Sequence, residues 1–336
     1  MPKLLKNILQ SAFFLGIGVL LIWWALRPLT PEQRTDIRNA ILQANYWPII
    51  PAFIIGVFSH LSRAIRWKLL MQPLGYKPKT STTFYAVMIG YIANLAVPRL
   101  GEIARCGILA RYEKIPADKL IGTMIAERAV DLICLILVMV ATVLVQIDVV
   151  GNFFSEKIWT PLASSFANAN GSQLAFKLGV AAIVIILIVF LLKRFARSKA
   201  AIKMKALLRG VMEGIFSIAR MENKWKFLFH TLLIWVLYFS MLYCAFYTME
   251  SANNLGVKAC LALLSFGSIA MIVTPGGIGA YPILTQQTLL LYGISETDGY
   301  AFGWIVWGAQ TLLTCVLGVY SLVALTIRKK QGTATA

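Results

Sequence analysis

Histidine, acid and paired cysteine are scarce in this chain, and each shortage closes off a chemistry. His60 and His230 are its two histidines, and neither sits near a cysteine cluster, so histidine-base and transition-metal mechanisms have almost no material. The five cysteines (Cys106, Cys134, Cys244, Cys260, Cys315) form no C-x-x-C pair, which excludes a disulfide framework or a zinc knuckle on that pattern. No H-E-x-x-H or G-x-S-x-G pattern occurs, so no catalytic residue, metal ligand or cofactor is expected. A Walker A pattern is missing too, which leaves a gradient, lipid consumption or no energy input at all for any transport. Charge itself is thin, at 14% of 336 residues where a soluble domain carries about 25%.

What fills the chain instead is apolar: 59% of residues are hydrophobic, the composition of a protein whose main solvent is lipid. The 32 Lys and Arg outnumber the 14 Asp and Glu and leave a net charge of +18. The cations lie in short blocks between apolar runs, the pattern of loops facing an anionic cytoplasmic leaflet, so nucleic acid is not an expected partner.

Crossing about 30 Å of hydrocarbon takes about 20 mostly apolar residues. Stretches near 9–27, 47–65, 119–146, 174–192, 227–249 and 300–326 qualify. The first has a basic start but no small-residue cleavage site, and it ends in Trp23, Trp24 and Arg27, so it is read as a retained span. Two shorter runs, 83–97 and 258–274, end in proline and glycine (N-L-A-V-P-R-L-G-E and I-V-T-P-G-G-I-G-A-Y-P) and read as broken helices. If 83–97 were a plain crossing, the basic blocks at 63–79 and 99–119 would fall on opposite faces. The sign pattern is satisfied when 83–112 enters from the cytoplasm and returns there, while 258–293 enters from outside and returns outside.

The expected fold is therefore an all-α integral membrane protein with six full spans plus two re-entrant helical hairpins in an inverted-topology repeat. Residues 1–150 form the first repeat and 174–328 the second, with both termini cytoplasmic. No letter-by-letter repeat accompanies them. Residues 193–226 connect the halves; their basic residues, with apolar ones at helical spacing, fit either an amphipathic helix on the cytoplasmic leaflet or an ordinary basic loop.

Ionisable groups at membrane depth cost about 2.5 to 3.5 kcal/mol each on insertion scales, so each needs a partner or a purpose. Glu102 and Arg105 stand at i and i+3 after the Pro98–Gly101 turn, and Glu127, Arg128 and Asp131 follow in A-E-R-A-V-D-L, with Glu127 and Asp131 one turn apart. The two acids need cations, which Arg105 or Arg128 can supply. Either these groups form a polar pocket for a charged head group, or they are an ion-pair network pinning a hairpin. If burial favours their neutral forms, Glu102, Glu127 and Asp131 are candidate proton carriers.

Asn94, one turn before Pro98, is suited to a polar floor at the hairpin turn or to a local cap. The turn at Pro275, Gly276, Gly277 and Gly279 leaves backbone uncovered, for an anionic phosphate or for close helix packing. Arg63, Arg66 and Trp67 fit snorkelling arginines with a belt tryptophan, without any ligand.

Taken together, R-A-I-R-W-K-L-L, N-L-A-V-P-R-L-G-E-I-A-R, E-R-A-V-D and T-P-G-G-I-G with a later L-Y-G resemble the lysylphosphatidylglycerol synthase transmembrane region family, also called the flippase-like domain family. The likeness runs from about the second span to the last. It implies a bacterial inner-membrane protein that handles phospholipid, anionic or aminoacylated. It places binding on Arg63, Arg66, Trp67, Asn94, Pro98, Gly101, Glu102, Arg105, Glu127, Arg128, Asp131, Pro275, Gly276, Gly277, Gly279 and Tyr281. Family members often carry a Glu soon after the second glycine turn, where this chain has Tyr281-Pro282. The soluble aminoacyl-transferase half of the best-known members has no counterpart in these 336 residues, so the chain is not expected to make lysylphosphatidylglycerol.

The expected function is movement of a phospholipid or aminoacyl-phospholipid between leaflets. The alternative is a non-transporting scaffold or regulator that binds lipid or a lipid synthase. Candidate protein partners are a second copy of the chain or such a synthase.

Overall fold

The structure, a computed structural model, describes residues 29–97, 100–147 and 221–334, with Ile22, Trp23, Arg27 and Thr160. Most of the expected span 9–27, all of 174–192, the connection through Arg220, and the turn residues Pro98 and Arg99 lie outside the described residues. Among the described residues every regular element is helical and none is a strand. Four helices are long and apolar enough to cross a membrane, over Ile49–Leu74, Ala117–Val145, Lys224–Phe246 and Glu296–Arg328.

The first helix, α1 (Pro31–Leu42), was not anticipated, although its signal is in the sequence. Thr30-Pro31-Glu32-Gln33 is a capping box: the Thr30 hydroxyl accepts from the Gln33 N–H (3.2 Å) and the Gln33 side chain accepts from the Thr30 N–H (2.9 Å). Then follow α2 (Ile49–Met71), α3 (Thr80–Ala96), α4 (Leu100–Glu113) and α5 (Ala117–Val145). After the residues not described come α6 (Lys224–Phe246), α7 (Val257–Val273), a 3-10 turn at Pro275–Gly277, α8 (Ala280–Leu290) and α9 (Glu296–Ala334).

Both broken stretches fold as helical hairpins whose outer ends come back together. The Lys79 N–H, just before α3, donates to the Glu113 carboxylate at the end of α4 (3.2 Å). The Tyr292 hydroxyl, just after α8, donates to the Lys258 carbonyl at the start of α7 (3.2 Å). Long α5 separates these two ends. It starts beside the open end of the first hairpin, and at its far end Gln146 donates to the Lys258 carbonyl (3.2 Å) and accepts from Tyr292 (2.5 Å). The hairpins therefore open at opposite ends of the bundle, and their tips meet.

That meeting depends on glycine. Gly276 has φ +61, and a Cβ there would lie 2.5 Å from Leu95, in the last turn of α3. The Gly276 carbonyl is held by Trp307 Nε1 of α9 (2.7 Å). Within the first hairpin α3 and α4 touch backbone to backbone, since a Cβ on Gly101 would fall 1.8 Å from the Gly90 carbonyl.

Helices on the two sides of the undescribed segment match in part. α2 and α6 have 23 residues each, and α3 and α7 have 17 each, with α4 and α8 at 14 and 11 residues and α5 and α9 at 29 and 39. Pairing follows suit: α2 packs on α3 as α6 does on α7, α4 on α5 as α8 on α9, and α3 on α9 as α7 on α5. α2 and α6 face one another across the centre. Apolar side chains fill the second hairpin's surroundings with α1, α6 and α9 (Ile37, Phe246, Leu263, Phe302), and a second core around Trp67, Leu109, Leu120 and Phe227 supports the first.

Candidate functional site

Five charged side chains from three helices meet in the bundle. α5 presents Glu127 and Asp131 one turn apart, and α2 presents Arg63 and Arg66, three apart, so that each acid meets both arginines. Arg63 Nη1 lies 3.1 Å from Glu127 and 2.8 Å from Asp131; Arg66 Nη2 lies 3.2 Å and 2.6 Å from the same pair. Arg105 of α4 closes the ring with a 2.9 Å contact to the other Glu127 oxygen. Glu127 and Arg66 are fully buried, and Asp131 keeps 17% of its side-chain exposure.

Apolar and aromatic groups enclose this cluster and strengthen it by excluding water. The Trp67 ring lies 4.5 Å below the Arg105 guanidinium, and its Nε1 donates to Thr123 (3.0 Å). A separate pair, Arg128 to Glu102 at 3.2 Å, ties α5 to the start of α4 near the surface, with Arg128 41% exposed. Four guanidiniums against three carboxylates leave this region with one unbalanced positive charge.

Next to the cluster lies a cavity of about 370 Å³, bounded by α2, α3, α5, α6, α7, α8, α9 and the Pro275–Gly277 turn. Its polar lining comprises Ser59, His60, Arg63, Tyr91, Asn94, Arg128, Tyr238, Ser268, Tyr281, Gln310, Thr311 and Thr314; Leu95, Met241, Leu263, Met271 and Ile272 are among its apolar walls. The size falls within the range of small-molecule sites, about 300–1,000 Å³. Arg63 belongs to both regions, since its Nη2 donates to the Tyr238 hydroxyl (3.0 Å) while its Nη1 serves the acids.

The structure sorts the residues named from the sequence. Arg63, Asn94, Arg128, Gly276 and Tyr281 line the cavity. Arg66, Trp67, Arg105, Glu127 and Asp131 form the adjoining cluster and its lid, and Glu102 holds Arg128. Asn94 does both things open to it: its side-chain oxygen accepts from the Gly101 N–H (2.8 Å), capping α4, and it faces the cavity. Gly101 is fixed by helix contact, and Pro98 lies outside the described residues.

One expectation needs correction, and two sets of alternatives are resolved. Arg63, Arg66 and Trp67 do not snorkel to an interface, because they are 6%, 0% and 0% exposed and face α5 inside the bundle. Of the two cations named for the acids, Arg105 does meet Glu127, while the helix directs Arg128 to Glu102. Of the two roles open to the second glycine turn, close packing is seen, with Gly276 against Leu95 and Gly277 against Met271 and Tyr281. The Gly277 N–H donates to Thr274 and the Ile278 N–H to Pro275, and of the four turn residues Gly276 lines the cavity.

Sequence reasoning missed His60, Ser59, Tyr91, Tyr238, Ser268, Gln310, Thr311 and Thr314. A signal was present in polar residues one turn apart within apolar runs, Ser59 with Arg63 and Gln310 with Thr314.

Described residues that are all helical in their regular elements, with spanning-length apolar helices around a buried charge cluster, mark an integral membrane protein. The family model for the lysylphosphatidylglycerol synthase TM region matches residues 8–318. The chain belongs to that family. It is also similar to a UPF0104 membrane protein of Methanocaldococcus jannaschii, 28% identical over 96 residues, which cover 28% of this chain and 29% of that protein. No solved structure matches the chain.

Proposed function

We propose that this protein is a lipid flippase-like transporter of the inner cell membrane, moving a phospholipid or aminoacyl-phospholipid between leaflets, with both termini in the cytoplasm. In this reading the α3–α4 and α7–α8 hairpins are re-entrant, one from each face of the bilayer, and the repeat has inverted topology. Support comes from hairpins that open at opposite ends of the bundle and from the matching helix lengths on its two sides. A 17-residue helix is about 25 Å long, short of the hydrocarbon thickness.

The observation that carries the reading is the cavity where the two tips meet, lined by both polar and apolar side chains and in contact with the arginine cluster through Arg63. A head group can leave water there while its acyl chains stay in lipid. The buried cluster then acts as a fixed charged wall rather than a proton relay, because both Glu127 oxygens are already engaged by guanidinium donors. This is transport and not covalent chemistry.

The test is reconstitution of the full chain into vesicles with head-group-labelled lipids on one leaflet. Faster leaflet exchange than in protein-free vesicles, lost in Arg63→Gln, supports the reading. Exchange unchanged across a broad lipid panel overturns it in favour of a scaffold, for which charge reversal around Lys193 to Arg209 and not neutralisation of the partly exposed Glu102 abolishes function.

A further inference from the structure

We infer that the cavity between the hairpin tips receives an anionic phosphodiester head group whose remainder is neutral and hydroxyl-bearing, and that it disfavours a head group carrying a free ammonium. This rests on the lipid reading above and narrows it to one of the two classes that reading admits.

Charge decides the matter. Arg63 and Arg128 line the cavity, and among the described residues no Asp or Glu does. The acids nearby are already spent: Glu127 and Asp131 on Arg63, Arg66 and Arg105, and Glu102 on Arg128. The surplus positive charge of the region is therefore unanswered among the described residues, and a bound anion completes it.

A donor is also left over. Arg63 Nε is shielded from solvent and has no partner, and Arg63 keeps just 8% of its side-chain exposure. A phosphodiester supplies acceptors to such a group, whereas an ammonium supplies further donors and a like charge. Elsewhere in the lining Ser268, Gln310 and Thr311 give neutral hydrogen-bonding partners suited to hydroxyls. Removing an ammonium from water into this space without a counter-ion is costly, and that cost is the source of the discrimination.

The test uses the purified full chain in a non-ionic detergent, titrated calorimetrically with dioctanoyl phosphatidylglycerol, dioctanoyl lysylphosphatidylglycerol, dioctanoyl phosphatidylcholine and glycerol 3-phosphate. Phosphatidylglycerol is expected to bind at least tenfold more tightly than each of the other three. Arg128→Gln, at a partly exposed position, lowers its affinity at least fivefold. The near-isosteric Gln310→Glu places a carboxylate on the wall, lowers it at least tenfold and raises that of the lysyl lipid, and its melting temperature checks that it folds. Equal or tighter binding of lysylphosphatidylglycerol, or no effect of Gln310→Glu, overturns the inference; equal binding of glycerol 3-phosphate overturns the lipid as source of the phosphate.

Leaflet exchange measured in parallel separates this inference from the transport reading. Equal transfer of both lipids defeats the inference alone. Selective binding without transfer defeats transport and leaves the inference standing.

Discussion

Glu127 touches three arginines from two helices and has no exposure, so it is the residue whose loss is most costly. Glu127→Gln leaves Arg63, Arg66 and Arg105 short of an anion in a dry site, and removal of one partner from a buried pair costs about 3 to 5 kcal/mol. Chemical unfolding in detergent micelles measures this; a loss below about 1 kcal/mol would show the cluster to be hydrated and unimportant. That the acids here needed cations was legible in the sequence from the cost of burying them. Arg105 was legible as one of those cations; Arg63 and Arg66 were not. Arg63 lies far from Glu127 in the chain and reads as an interfacial arginine until α2 is laid against α5, and the azimuth of one helix on another is a tertiary fact that spacing within each helix leaves open. The same holds for Arg128, whose place beside Glu127 in sequence puts it on a different face of the helix.

Hairpins, at the next scale, stand or fall on close backbone approach. Gly101→Ala sets a methyl 1.8 Å from the Gly90 carbonyl and 2.7 Å from the Asn94 side chain, so α3 and α4 must separate. The expected outcome is protein that fails to purify as a monodisperse species, or melts far below the parent; parent-like melting would contradict the crossing. Trp307→Phe keeps one aromatic ring but removes the pyrrole part of the indole with its hydrogen bond to the Gly276 carbonyl, for an expected loss of at least about 0.5 to 1.5 kcal/mol and a matching drop in melting temperature. An unchanged melting temperature would place the tip elsewhere. The breaks themselves were plain from proline and glycine ending two short apolar runs. Helix α1 was passed over because its polar sequence shows no strong apolar stripe, although Thr30-Pro31-Glu32-Gln33 carried its start signal.

For the whole molecule, the distribution of lysine and arginine among loops already required two stretches to return to the side they left. Matching helix lengths in the two halves and tips that meet at Leu95 and Gly276 are what folding adds. If the chain is a repeat, its letters hide it because corresponding positions serve different partners. Gly90 and Gly267 each stand eleventh in their helices, yet the first abuts the backbone of Gly101 and the second the ring of Tyr281. Placement in the bilayer is the claim on which the transport account turns. Spin labels at Val97 and Ile278, with depth read from relaxation by oxygen against a water-soluble nickel chelate in vesicles, test it most directly. The account predicts both labels near the bilayer midplane, with labels at Lys79 and Glu113 together on one surface. Labels at Val97 and Ile278 lying at head-group depth on opposite surfaces would contradict it.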